Sequence, residues 1–197
     1  MFEDVLDRVE KNISRPKFVA VDAGYKTPYI CKTLIDRNIE PAMPYKRPMT
    51  KEGFFRKYEF VYDEKNDCYT CPNNQQLTYG TTNREGYKEY KSDKRQCKEC
   101  LLLNKCTNSR NHTKVIQRHL WEGYSEIAEA KRHEGLNKAV YARRKETIER
   151  VFADMKEKHG MRWTTLRGLG KVQAPATLVA TCMNLKKMAN WLWKPGN

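Results

Sequence analysis

Lys17-Phe18-Val19-Ala20-Val21-Asp22-Ala23-Gly24-Tyr25-Lys26 is the stretch on which the fold turns. Its apolar run, rich in β-branched and aromatic residues, is too short for a helix and is stopped by Gly24, so 17–22 reads as a short buried strand. The strand ends on a carboxylate. Upstream, Phe2, Val5, Leu6, Val9 and Ile13 recur at helical spacing, which predicts an amphipathic helix over 2–12 before Ser14-Arg15-Pro16 breaks it. Downstream, Thr27 as N-cap and Pro28 at the first helical position predict a helix over 27–37 with Ile30, Leu34 and Ile35 buried. Residues 39–45 read as a second strand, weakened by Pro41 and Pro44. Helix, strand, helix, strand implies a layered α/β architecture.

Composition changes after Pro48. From about residue 50 to 120 the chain is polar and rich in tyrosine and cysteine, with alternating runs such as Tyr58-Glu59-Phe60-Val61-Tyr62 and a turn over 63–67. This predicts a small β-rich insert. Helical periodicity returns by about 125 and continues over 139–158, with Val140, Ile148, Val151, Phe152 and Met155 apolar, until His159-Gly160 ends it. A last helix is expected over 174–193, with Leu178, Val179, Cys182, Leu185, Met188 and Ala189 facing inward. The division expected is therefore 1–49, 50–120 and 121–197.

No run of about 18 apolar residues exists, which excludes a membrane-spanning helix. The acidic start Met1-Phe2-Glu3-Asp4 is unlike a signal peptide, so a cytoplasmic location is expected. Net charge is +14 and concentrated. Residues 84–119 carry ten Lys/Arg against four Asp/Glu, and residues 131–171 carry twelve against five, so these two stretches supply 13 of the 14 excess charges. Charge gathered in this way points to a polyanion, with nucleic acid ahead of a membrane surface. Tyr87, Tyr90, Trp121 and Trp163, interleaved with lysine, offer rings for stacking on bases; packing is the more ordinary account of the two tryptophans.

Five of the seven cysteines fall close together: Cys68-x2-Cys71, Cys97-x2-Cys100, then Cys106. Two such pairs flanking a β-rich stretch have the spacing of a structural zinc site. Four of the five would close a tetrahedral shell, with Cys100 and Cys106 in competition, and a small insert with few large apolar residues needs such a staple. Reduced thiols without metal are the ordinary alternative, and the spacing does not match common iron–sulfur runs. Cys31 and Cys182 fall on apolar helix faces and read as core. His112 and His119 read as surface groups.

Asp22 at a strand end and Glu149 on a basic helix together form a candidate clamp for magnesium, which favours carboxylates and phosphates. Helical positions seven apart lie within about 20° of each other, so Lys145, Glu149 and Lys156 project from neighbouring parts of one face. From helix geometry alone an ordinary intrahelical ion-pair ladder on a solvated face is the better account of them.

Val21-Asp22-Ala23-Gly24-Tyr25-Lys26 resembles the second-aspartate motif of bacterial insertion-sequence DDE transposases. The run from Arg144 to Phe152 followed by Lys156 is similar to that family's glutamate-helix signature, with Tyr141 displaced by one residue and Lys145 in the arginine place. Arg167-Gly168-Leu169 and the closing helix with Asn184 resemble its C-terminal region, and its members carry a β-rich, often cysteine-bearing insertion between second aspartate and glutamate. The resemblance implies an α/β (α+β) fold: a partial ribonuclease-H-like core, a zinc-binding β-rich insertion and a helical C-terminus.

It also implies Asp22 and Glu149 as catalytic ligands of Mg2+, with Lys145, Lys156, Arg144 and Arg150 on element-end DNA. The family's first aspartate has no counterpart here, since Asp4 and Asp7 lie on a helix pattern too close to Asp22. The expectation is therefore a transposase fragment inactive by itself, completed by an upstream-encoded N-terminal half, associated with the nucleoid and able to dimerise on DNA. The alternatives are a non-enzymatic zinc-bearing DNA-binding protein and a structure-specific nuclease.

Overall fold

The computed structural model describes residues 2–193 of the chain. It divides into two units, Met1–Tyr141 and Ala142–Asn197.

In the first unit, α1 (Phe2–Asn12) precedes β1 (Phe18–Ala20), and α2 (Pro28–Asp36) leads to β2 (Glu40–Ala42). The Thr27 hydroxyl accepts from the Ile30 N–H, and Pro28 occupies the first turn, so the start of α2 follows directly from local sequence. β1 and β2 pair in parallel, Phe18 opposite Glu40 and Ala20 opposite Ala42. Parallel pairing needs a crossover, and α2 supplies it. Leu6, Ile30, Cys31, Leu34, Ile39, Met43 and Ala128 form the core beneath. Ala128 belongs to α5 (Glu122–Lys131), which packs on α2.

The insert is a five-stranded antiparallel meander: β3 (Val61–Asp63), β4 (Cys68–Thr70), β5 (Gln76–Thr82), β6 (Tyr87–Ser92) and β7 (Val115–His119). Between β6 and β7 lie two short helices, α3 (Lys94–Lys98) and α4 (Leu103–Cys106). The expected strand through residue 58 begins later, because Lys57–Glu59 forms a single 3₁₀ turn in which the Glu59 carboxylate accepts from the Arg56 N–H at 2.6 Å. One sheet face gathers Tyr69, Leu77, Tyr90 and Ile116 with Phe60 into a second core. Strand alternation puts these residues on one side, and pairing of Tyr69 with Leu77 and of Tyr90 with Ile116 aligns them.

Tyr90 is completely buried, which corrects the expectation that it stacks on bases. Its ring packs edge-on against Tyr69 at 5.1 Å and Tyr62 at 6.0 Å. Tyr87 is likewise engaged, edge-on against His119 at 4.8 Å. Trp121 lies against Tyr29 and beneath the Lys32 ammonium. Trp163 alone of the four is broadly exposed.

A helix α6 (Gly135–Arg144) follows α5. Asn137 on its first turns is buried, and its amide donates to the Pro41 carbonyl at 2.9 Å. Proline at 41 cannot donate to a strand neighbour, but its carbonyl still needs a partner. Asn137→Ala should therefore cost about 1–3 kcal/mol in urea denaturation by leaving that carbonyl buried and unsatisfied.

The second unit continues through a π-helical stretch, Lys145–Glu149, into α7 (Arg150–Lys158), and ends in α8 (Leu169–Leu192). Cys182, expected in a core, is exposed, as are Leu178, Leu185, Met188 and Phe152, and on α8 Met183 alone is buried. The apolar residues of α8 are distributed around its axis, so no single stripe can bury them all.

Candidate functional site

Asp22 sits just beyond the carboxyl end of β1, where Val21 still donates to the Ala42 carbonyl at 3.3 Å. In parallel α/β sheets that end is where ligands are bound. The residue is exposed, and its Oδ1 accepts from the Gly24 N–H at 2.9 Å, capping the turn Ala23–Tyr25. A Cβ added at Gly24 would approach that same oxygen to 3.2 Å, so glycine there leaves room for the carboxylate. Lys26, beside the aspartate in sequence, is not available to a phosphate. Its ammonium pairs with Glu129 and donates to the Pro44 carbonyl at 3.3 Å. Burial works to raise the Glu129 carboxyl, but hydrogen bonds from Arg132 and Lys26 outweigh it and hold the group below its ordinary value.

Glu149 belongs to the second unit and closes the π-helical stretch, with backbone angles still helical. Insertions of this kind widen one turn of a helix and are frequent at functional sites. The wider turn moves Lys145 off the α-helical register with Glu149, whereas Glu149 and Lys156 are joined by α7 and keep theirs. Glu149, Lys145, Lys156 and Arg150 are all exposed, and Arg144 is half-buried. Among the described residues no ion pair engages Glu149; the nearest intrahelical pair is Lys158 with Asp154 at 2.8 Å. Asp22 and Glu149 thus lie in different units, each exposed at the end or edge of its own element.

The five clustered cysteines separate into four and one. Cys71, Cys97, Cys100 and Cys106 line a single enclosed cavity of about 20 Å³, closed by apolar groups including Phe60 and Leu77. Residues 71–75 form a tight turn: Cys71 donates its N–H to the Gln75 carbonyl, Asn74 takes φ 56°, and the Gln75 N–H points at the Cys71 sulfur at 3.3 Å. The Asn73 amide donates to the Cys100 sulfur at 3.5 Å. Burial raises the Cys106 thiol above its ordinary pKa, with Lys114 opposing and the charges of Cys97, Cys71 and Cys100 adding to the rise. Cys68 is buried elsewhere, where desolvation and the neighbouring Asp63 and Asp67 raise its thiol. A separation of three residues in extended chain puts Cys68 and Cys71 on opposite faces. Among the described residues, no group of three or more His, Cys, Asp and Glu side chains is arranged to hold a metal ion.

Sequence reading overlooked Asp67. Its carboxylate accepts from the Tyr90 and Tyr62 hydroxyls, each at 2.7 Å, and pairs with Lys88 at 3.1 Å. These hydrogen bonds hold it down to about 2. Nothing local marks it out, because its partners come from β3 and β6. Across the same face Arg118 stacks over Tyr62 at 4.1 Å and forks onto Glu126 at 2.5 and 3.1 Å, fastening the insert to α5.

The molecule is thus a mixed α/β protein, with a parallel strand pair ending in a carboxylate, an antiparallel insert and a basic helix bearing a second carboxylate. The family model of the transposase DDE domain matches residues 70–189, and the chain belongs to that family. The matched span contains Glu149, the basic helix and the four gathered cysteines; Asp22 and Cys68 precede it. No curated protein and no solved structure matches the chain. Among the described residues, no helix is long and apolar enough to cross a membrane.

Proposed function

We propose that the chain acts on DNA in transposition, with Asp22 and Glu149 as carboxylate ligands of magnesium and the basic helix on the phosphate backbone. The observation that carries this reading is the family match across the insert and the glutamate helix. The residues fit the ion's chemistry: magnesium takes oxygen donors and commonly one or two carboxylates plus phosphates, and both side chains are exposed. Bound metal of this kind polarises phosphate and lowers the pKa of attacking water. Asp22 and Glu149 would supply its protein oxygens, while Lys145, Lys156 and Arg150 hold the strand. The hydrogen bond that Asp22 accepts from the Gly24 N–H would fix the orientation of its carboxylate. An upstream-encoded segment lying along β1 would provide the third carboxylate. Supporting that, β1 pairs only with β2 among the described residues, and parallel sheets are normally larger and covered on both faces. An apolar groove of about 470 Å³, lined by residues of α1 and by Val19, Val21 and Tyr25, adjoins it. A structural zinc held by cysteines of the insert and a homodimer on DNA complete the proposal.

DNA binding is tested by salt titration. Affinity should fall linearly with log salt, and Lys156→Ala should weaken binding to all sequences alike while lowering the slope by about 0.9. A slope unchanged by Lys156→Ala, Lys145→Ala and Arg150→Ala together would remove the basic helix from the DNA contact.

A further inference from the structure

We infer that Cys71, Cys97, Cys100 and Cys106 are the zinc ligands of the insert and that Cys68 is not one of them. The inference rests on the zinc-bearing reading above and specifies its site.

The four sulfurs come from three places: the turn after β4, α3 with the residues that follow it, and the end of α4. All face one cavity of about 20 Å³. A void needs roughly 10–15 Å³ by this measure to accept a single water, so the space suits one small ion and little else. Its walls offer the four sulfurs, apolar groups such as Phe60, Leu77 and Leu103, and the polar side chains of Gln75, Ser92, Gln96 and Lys114, with no carboxylate or imidazole among them. Such a donor set selects a soft or borderline cation and disfavours magnesium or calcium.

Four thiolates around one divalent ion leave two excess negative charges, and the surroundings are built to offset them. The Gln75 N–H and the Asn73 amide already donate to sulfurs of Cys71 and Cys100. Lys114 lines the same cavity and anchors on the Cys106 carbonyl at 3.0 Å. Groups that hydrogen-bond ligands in this way are a regular part of metal sites. The sulfurs are not drawn to coordinating distance. Cysteine has one side-chain torsion with staggered wells, and sites of this type close as the metal binds. Cys68 cannot join by such a rotation, because it leaves β4 on the opposite face beside Asp63 and Asp67.

The test uses the full chain, purified and reconstituted with zinc, with metal measured by mass spectrometry and cobalt(II) as spectroscopic probe. Wild type and Cys68→Ala should each hold one zinc per chain and give the same cobalt–thiolate absorption. Cys71→Ser, Cys97→Ser, Cys100→Ser and Cys106→Ser should each lose at least tenfold in zinc affinity. Because a serine variant can fail to fold, Cys106→His supplies a second readout. It should retain cobalt with the thiolate band reduced and shifted, while Cys68→His leaves the band unchanged. Zinc bound by wild type but lost from Cys68→Ala, or a cobalt band altered by Cys68→His, would overturn the ligand assignment and leave a zinc-bearing insert standing. No zinc or cobalt uptake by wild type would overturn both.

Discussion

Tyr90→Ala is expected to lower the stability of the first unit by about 3–5 kcal/mol, in line with removal of a large buried aromatic. The residue is fully buried at the centre of the insert's aromatic core and touches rings from three other strands of the sheet. Its hydroxyl ends on Asp67, so two further substitutions separate packing from hydrogen bonding. Tyr90→Phe keeps the ring and should cost about 1 kcal/mol. Asp67→Ala removes the acceptor of two hydroxyls and places alanine at φ 47°, and should cost about 2–4 kcal/mol. Asp67→Asn keeps an acceptor oxygen and tolerates that backbone, so it should fall well short of alanine. The pH dependence has a fixed sign. Asp67 titrates at about 2 in the fold against 3.8 for an ordinary aspartate, so its contribution is complete above pH 3.8 and is lost as pH falls toward 2. With the side chain 39% exposed, solvent screening reduces that contribution to about 1 kcal/mol. Thermal denaturation of wild type and Asp67→Asn between pH 2 and 6 should show the two curves converging at the acid end.

On the reading proposed above, in which a separate segment supplies the third carboxylate, Glu149→Gln and Asp22→Asn should each lower magnesium-dependent strand cleavage by about 10³-fold or more once that segment is added. Metal stabilisation of transition-state charge is worth several kcal/mol, and each 1.36 kcal/mol is a factor of ten. The fold should survive both changes. Glu149 is exposed, and asparagine caps a turn as well as aspartate does, so thermal midpoints and DNA affinity should stay near wild type. The polypeptide by itself should not cleave DNA. Strong magnesium-dependent nicking by the pure chain, abolished by Glu149→Gln, would show that the two carboxylates suffice without a third.

Much of the first unit was legible because its signals are local. The α1 periodicity, the Thr27-Pro28 start of α2 and the short apolar run of β1 each depend on a few consecutive residues, and the structure has them within a residue or two. The later helices were harder. A continuous helix over 139–158 was expected, and a π-helical stretch interrupts it at Lys145–Glu149, which no residue type announces. Apolar residues of α8 were assigned an inner face that the structure leaves largely exposed, because a periodic pattern says which side is apolar and not whether anything covers it.

Sequence alone determined the order of elements up to β2, the position of Asp22 after a strand, the basic character of the glutamate helix and the concentration of cysteine in the insert. Tertiary structure decided which of these residues meet: Cys71 with Cys97, Cys100 and Cys106 but not with Cys68, Tyr90 with Asp67, and Lys26 with Glu129. The physical reason is one of range. Caps, turns and periodicity are fixed by interactions over three or four residues, whereas a neighbour across a sheet is set by strand register and by the closure of long loops.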